Sequence, residues 1–511
     1  MSASGDKVSN CDAAVVDVGS NSVRLVLYKI EGRSIWTVFN EKVLAGLGRG
    51  LSGSGRLSPS GVEVALRALR RFRALIEASR PRSVIAVATA AVREAGDGQS
   101  FCRRVKREIG IDLGILSGEE EARLGALGVL AGAPHSRGVV GDLGGSSLEL
   151  TRLTASGPIA GVSLPLGPFA IEGGKFDAGR IRAAVTRHLA SWAGDFRADT
   201  FHAVGGAWRN IALLHMRMSS YPLEIIHQYE MSRRQALEAA RFVGQQSRGS
   251  LERMEGVSRR RVETLPHAAV VLECLIEQLN LDRVVISAFG LREGLLFETM
   301  PPAARRRDPL VEGCAALGFR EALSEGLGAA LEAWLAPAFG ALQPVLGGRE
   351  PMLLAAACRL ADLGSRLHPD HRADLVFDQV LRAPIAGMNH VERAFLACAS
   401  FARHTAASDI REPKIIFRLL GVEQVQRARA LGAAIRLACD LSGRNPELLA
   451  VASLEFRQGA VILKVAQEKG VELLGELAAK RGATLAAILD RELKIRAAPA
   501  RVAPSQRVAV G

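Results

Sequence analysis

Asp17-Val18-Gly19-Ser20-Asn21-Ser22 follows the apolar run Ala13 to Val16, and Asp142-Leu143-Gly144-Gly145-Ser146-Ser147-Leu148-Glu149 follows Gly138 to Gly141. Each stretch reads as a buried strand, then an acid, then a tight turn of glycines and small hydroxyl residues. That order suits a phosphate with a divalent cation. Glycine lets the backbone approach an anion, and successive N–H groups form a concave anion site. Ser and Asn add side-chain donors, and a carboxylate can hold a hydrated Mg²⁺ that bridges to phosphate oxygens. One such turn is weak evidence, since small residues after a strand often only make a hairpin. Two of them, nearly parallel in sequence, point to two related lobes facing across a cleft.

The rest of the chain is consistent with this. At 511 residues it is too long for one ordinary core, so two to four domains are expected. Hydrophobic content is 48% and charged content 23%, as in soluble globular proteins. No apolar run reaches the roughly 18 residues that span a bilayer. The first six residues lack a basic region followed by an apolar one, so no secretory signal is read. The seven cysteines are scattered, with no closely spaced pair, which fits reduced thiols in the cytoplasm and excludes a zinc-ribbon pattern. The net charge of +13 is spread along the chain and would concentrate a polyanion near the surface. An arginine-rich proteome explains the same excess equally well.

Apolar patterning places strands at 13–17, 23–29, 34–39 and 83–88, and helices at 62–78, 100–109 and 119–130. The last of these opens at Ser117-Gly118 with acids in its first turn. A second lobe begins near Val139 and repeats the order, with a strand over 149–153 followed by helices, and further strands at 201–204 and 284–287. Strands alternating with helices make both lobes α/β. Residues 301–309, rich in Pro and Arg, read as a linker. From about 310 to 492 the pattern is helical, with few strand signals before about 450. The expected organisation is lobe I over 11–135, lobe II over 136–302 and a helical region over 310–495, with flexible tails at 1–10 and 497–511.

Seven ordered stretches together resemble the Ppx/GppA phosphatases, the exopolyphosphatases and guanosine pentaphosphate phosphohydrolases. They are Asp17 to Arg24, Ala88 to Ala95, Leu116 to Arg123, Asp142 to Leu150, Ser163 to Gly167, Val204 to Gly206 and Phe289 to Gly294. The resemblance implies two actin-like ATPase (ribonuclease H-like) lobes around a cleft, followed by an all-helical, HD-like C-terminal domain. It implies hydrolysis of terminal phosphates rather than their transfer to a sugar.

Residue by residue, the resemblance makes Glu121 the catalytic carboxylate, with Glu120 as the fallback. The chemistry needs a base or water-orienting acceptor in line with the terminal P–O bond. On sequence alone, three consecutive glutamates at a helix start are more often surface residues favoured by the helix dipole. Asp142 and Glu149 match the family's Mg²⁺-associated acids, and Asp17, the matching acid of the first turn, is expected on the metal's side as well. Their plainer roles would be a turn cap or an exposed strand face. Asn21, Ser22, Gly144, Gly145, Ser146 and Ser147 are the expected phosphate donors. Arg93 matches an arginine that contacts phosphate, its fork being suited to paired oxygens; a salt bridge to Glu94 or Glu119 is the plainer reading. The chain departs from the family's pattern at Ser146, where a third glycine is usual, and at Leu148, where Thr is usual. A turn needing positive φ at Ser146 would be strained. Arg292-Glu293 reads as a structural lock for the last helix.

In the helical region, Leu360-Ala361-Asp362-Leu363-Gly364 has Ala361 where an HD module would carry a histidine ligand, so metal chemistry there is not expected. The region is expected to extend a basic channel or form a dimer interface. The resulting expectation is a cytoplasmic, Mg²⁺-dependent exopolyphosphatase, a homodimer by resemblance, acting on inorganic polyphosphate without membrane or nucleic-acid partners. Three alternatives stand beside it: hydrolysis of guanosine pentaphosphate, an actin-fold kinase, and a non-catalytic sensor of polyanions or guanosine polyphosphates.

Overall fold

The computed structural model describes residues 11–171, 176–407, 409, 411–466 and 472–498. The chain divides into two compact units, one ending at Pro309 and one beginning at Leu310. The first unit holds two mixed sheets of matching topology. In lobe I, strands β1 (Ala13–Val18), β2 (Ser22–Glu31), β3 (Ser34–Leu44), β4 (Ser83–Ala88) and β5 (Gly114–Ile115) lie in the order β3-β2-β1-β4-β5. β1 pairs antiparallel with β2 and parallel with β4. In lobe II, β6 (Gly138–Leu143), β7 (Leu148–Thr154), β8 (Gly157–Leu164), β9 (Thr200–Val204), β10 (Glu230–Ser232) and β11 (Arg283–Ile286) lie in the order β10-β11-β9-β6-β7-β8. Again the first strand pairs antiparallel with the second and parallel with the strand after the first crossover. β10, on one edge, has no counterpart in lobe I.

The reason for the repeat is visible in the strands. Val15, Val16 and Val18 on β1, and Val139 and Val140 on β6, are buried, as expected of a central strand covered on both faces. The sequence analysis placed no strand at β8, whose Gly157, Pro158 and Gly161 are residues that favour turns. β8 is an edge strand, where proline removes no needed ladder bond.

Two helices fix the geometry of the cleft. Helix Gly118–Gly132 crosses helix Leu291–Thr299 so closely that a Cβ on Gly294 would lie 1.8 Å from the Leu124 carbonyl oxygen. Only glycine permits this approach, and it brings the starts of both helices to the cleft.

The expected linker over 301–309 instead contains a short helix, Pro302–Arg305. The second unit is helical, but it also carries a three-stranded sheet absent from the all-helical expectation. Its strands are β12 (Ala452–Arg457), β13 (Ala460–Ala466) and β14 (Glu492–Ala498), in the order β12-β13-β14. The alternating burial of β12 is a period-2 pattern that the alanine-rich flanks obscured. The last residues read as helical, and the first two of the expected tail, belong to β14. The remaining tail residues, 1–10 and 499–511, lie outside the described residues. Among the described residues no helix is long and apolar enough to cross a membrane.

Candidate active site

The two turns occupy equivalent places at the ends of β1 and β6. Each is closed by the same hydrogen bond: Gly19 N–H donates to Ser22 O at 3.0 Å, and Gly144 N–H donates to Ser147 O at 2.9 Å. The turns face and touch each other. A Cβ on Gly145 would lie 3.0 Å from Ser20 Cβ and 3.2 Å from Asn21 N, so glycine is needed there for close approach rather than for a left-handed φ. Among the described residues, the amides of Ser20, Asn21 and Gly145 make no hydrogen bond. Unbonded, convergent N–H groups of this kind need an acceptor, and an oxyanion supplies one.

A cavity of about 190 Å³ lies where the turns meet. Asn21, Ser22, Gly144, Gly145 and Ser147 line it, together with Asp17, Glu121, Asp142 and Glu149. Two expected phosphate contacts do not line it. Ser146 is buried and packs toward Gly48 and Gly167, and its φ is not positive, so the substitution of the usual glycine carries no left-handed strain. Arg93 stands behind Glu121. Its Nη1 donates to Glu121 Oε2 at 2.8 Å and to Leu116 O at 3.0 Å, with Glu94 farther away at 3.8 Å.

The three consecutive glutamates have separate positions. Ser117 N-caps helix Gly118–Gly132: its Oγ accepts from Glu120 N at 3.1 Å, and Glu120 Oε2 accepts from Ser117 N at 2.8 Å. This capping box fixes the helix start and occupies Glu120. Glu119 is exposed, and Glu121 turns into the cleft with its side chain 13% exposed. Burial pushes the Glu121 carboxyl up to about 7. The Arg93 hydrogen bond and charge oppose the shift, while Asp142 and Asp17 add to it.

Cross-strand register sets the other acids. Asp142 lies opposite Glu149 on β7, and Asp17 lies opposite Arg24 on β2. Burial raises Asp142 to about 6 against the pull of Arg209 and Arg292. Burial also raises Glu149 well above the ordinary range, with Glu121 adding to the rise; Ser163 Oγ donates to Glu149 Oε1 at 2.8 Å. Among the described residues the Asp142 carboxyl has no hydrogen-bond or ion-pair partner. Asp17 is engaged, its Oδ2 accepting from Arg292 Nη1 at 2.8 Å.

Five cations that the sequence reading had not assigned to the cleft line the same cavity: Arg24, Lys42, Arg209, Arg261 and Arg292. A second cavity of about 330 Å³ shares Asn21, Arg24, Lys42, Arg209 and Arg261 and extends this basic wall. Arg24 and Lys42 are directly opposite across β2 and β3, a like-charge pairing that costs stability without an anion between them. Burial lowers Lys42 to about 7, helped by Arg261 and Arg24, and burial with Arg292 and Arg209 lowers Arg24 to about 10. Burial alone would depress Arg292 too, but Glu293 and Asp17 outweigh it and raise it. Arg292 therefore faces the cleft, while Glu293 locks the helix: it accepts from Tyr28 Oη at 2.7 Å and from Gly290 N at 2.9 Å. Arg24 stands in a quoted motif, and strand pairing would have brought Lys42 beside it. Arg209 and Arg261 had no local signal.

The donor set fits a hard divalent cation in part. Among the described residues no three acidic, His or Cys side chains are grouped to hold one unaided. Mg²⁺, however, commonly takes one or two carboxylates and completes its shell with water and phosphate, and Asp142 with Glu149 match that demand.

A sequence profile of the Ppx/GppA phosphatase family matches residues 26–303, and a profile of the exopolyphosphatase C-terminal domain matches residues 327–495. Among solved structures, an exopolyphosphatase from Cytophaga hutchinsonii is 22% identical with a TM-score of 0.51, covering 56% of this chain and 96% of its own. An exopolyphosphatase-like protein is 21% identical with a TM-score of 0.51, over 55% of this chain and 96% of its own. The Aquifex aeolicus Ppx/GppA family member is 25% identical with a TM-score of 0.49, over 56% of this chain and 96% of its own. The first profile alone spans more than half the chain, and it spans the second turn, the glutamate helix and, of the cleft cations, Lys42, Arg209, Arg261 and Arg292: this chain belongs to the Ppx/GppA phosphatase family.

Proposed function

We propose that the protein is an exopolyphosphatase, releasing orthophosphate from the end of inorganic polyphosphate with Mg²⁺. The observation that carries this reading is the continuity of one cleft from a group of buried carboxylates to a row of cations, Arg24, Lys42, Arg209 and Arg261, that form no ion pair among the described residues. A single phosphate needs only the first part. A chain of linked phosphates uses both, its end at the turns and its following groups along Arg24, Lys42, Arg209 and Arg261. The match of residues 327–495 to an exopolyphosphatase C-terminal profile supports the same substrate.

In this reading the amides of Ser20, Asn21 and Gly145 and the hydroxyls of Ser22 and Ser147 hold the terminal phosphoryl oxygens. Glu121 accepts a proton from the attacking water as the oxygen–phosphorus bond forms, and the bridging P–O bond breaks toward the cations. Orthophosphate and a chain shorter by one unit result. Arg93 keeps Glu121 oriented and favours its charged form, so it is a positioning residue rather than a phosphate ligand. Asp142 and Glu149 would hold Mg²⁺, with Asp17 beside them tied to Arg292. When bound, the ion neutralises phosphoryl oxygen charge.

A second reading, guanosine pentaphosphate hydrolysis, has one observation in its favour. A cavity of about 410 Å³ adjoins the first, shares Pro168 and Thr264 with it, and presents Phe169 and Phe176, against which a base could stack. The test is orthophosphate release by the purified full chain with Mg²⁺, comparing long polyphosphate, tripolyphosphate and guanosine pentaphosphate. The proposal expects the highest kcat/KM on long polyphosphate. A preference for the nucleotide favours the second reading, and turnover of none overturns both.

A further inference from the structure

We propose that the C-terminal unit carries a separate oxyanion seat of the phosphate class, built by Arg429, Arg436 and Arg481 over the buried Arg403. The seat lies where the end of helix His390–His404 meets helices Val422–Ser442 and Glu476–Ile488. A crevice there is lined by Arg429, Arg436, Arg481, Thr405, Thr484 and Ile488. The spacing of Arg429, Ala433 and Arg436 places both arginines on one face of their helix.

The argument is a deficit of counter-charge. Other deep arginines of this unit have at least one acceptor for the side chain, although Arg393 Nε, Arg359 Nη1 and Arg372 Nε have none among the described residues. Arg393, 2% exposed, donates to the carbonyls of Leu381, Ala383 and Ile385. Arg427 pairs with Glu350 at 2.7 Å, Arg444 with Asp362 at 3.1 Å, and Arg481 with Asp440 at 2.7 Å. Arg403 is 5% exposed, yet its buried Nε and Nη2 have no acceptor among the described residues, and neither has Arg436 Nη1. The Arg429 side chain has no hydrogen bond or ion pair among them either. Burial, then Arg481 and Arg403, act against the charge on Arg436, and Asp440 offsets part of this.

Leaving guanidinium groups buried without acceptors is costly, so something must compensate. Asp440 accounts for Arg481. The C-terminus of helix His390–His404 adds about half a negative charge, which offsets part of one arginine. About two and a half positive charges remain, most of which an orthophosphate or one phosphoryl group of a chain would offset, its paired oxygens suiting guanidinium forks. The crevice interior holds about 10 Å³, room for a single water. The anion therefore sits at the mouth, where Arg429 and Arg436 are half-buried. This site rests on no part of the catalytic reading.

The test is arginine labelling of the full chain with phenylglyoxal in EDTA, read peptide by peptide by mass spectrometry, with exposed Arg67 as the internal reference. Saturating orthophosphate or tripolyphosphate should slow labelling of Arg429 and Arg436 by about tenfold relative to Arg67. Protection by orthophosphate identifies the free anion as a ligand; protection by tripolyphosphate alone identifies a phosphoryl group within a chain. Unchanged labelling with both overturns the proposal. As a second measurement, Arg429→Met, verified as folded by circular dichroism, should bind radiolabelled phosphate at this class of site about tenfold more weakly in equilibrium dialysis. Undiminished two-class binding contradicts the seat.

Discussion

The turns after β1 and β6 are equivalent in position and hydrogen bonding, yet the residue paired across from the acid differs. In lobe I, Asp17 faces Arg24; in lobe II, Asp142 faces Glu149. In lobe I the acid is hydrogen-bonded to Arg292; in lobe II two carboxyls face each other, with Arg209 and Arg292 near Asp142. The duplicated turns thus give one cleft two faces whose acids sit in different electrostatic settings, while lobe II also supplies the cations Arg209, Arg261 and Arg292. Glu121 faces the same cleft.

The change expected to cost most leaves both faces intact and removes only the base. Glu121→Gln should lower kcat for orthophosphate release by about 10²–10⁴-fold while polyphosphate binding persists, checked by steady-state rates and filter binding. Next come changes that make the lobes alike. Glu149→Gln should raise the Mg²⁺ concentration needed for half-maximal rate. Arg24→Met should raise KM for polyphosphate about tenfold and weaken its dependence on ionic strength, with the Mg²⁺ requirement unchanged.

A smaller effect concerns protonation. Glu121 must be charged to accept a proton, so kcat/KM should rise with pH through about 7, and more steeply than one group allows because Asp142 titrates near 6. Arg93→Met removes a contact that favours the charged form, so the acid limb should move to higher pH; a limb that stays put would argue against the positioning role.

The smallest effect is on stability without metal. Both carboxyls bind protons more tightly folded than unfolded, so the folded state holds more protons between about pH 4 and 7. These two carboxyls therefore contribute stability that is lost as pH rises through that window, while His202, His215, His267 and His404, which burial lowers, contribute in the opposite sense. In EDTA, the melting temperature of the wild type should fall between pH 5.5 and pH 7.5 relative to that of Glu121→Gln with Asp142→Asn, and Mg²⁺ should narrow the difference.

Much of lobes I and II could be read from sequence because their signals are local. Valine runs, the Ser117 cap and the small-residue turns each declare themselves within a few residues. β8 did not, because its Gly and Pro carry turn signals that only its edge position makes harmless. β12–β14 were hidden by flanking alanine-rich helices. At the site, the quoted motifs supplied the acids and most turn residues. They could not show that Arg93 stands behind Glu121, since that depends on a contact 28 residues away. They also could not bring Arg209 and Arg261 to the cleft, because their place is set by tertiary packing alone.

The division of labour between the lobes is tested most directly by Mg²⁺ titration of orthophosphate release from long polyphosphate, comparing Asp142→Asn with Asp17→Asn. The account predicts that Asp142→Asn shifts the Mg²⁺ requirement upward by about tenfold or more, while Asp17→Asn, whose acid is already held by Arg292, leaves it near the wild-type value. Equal shifts in both variants, or a shift in Asp17→Asn alone, would contradict it.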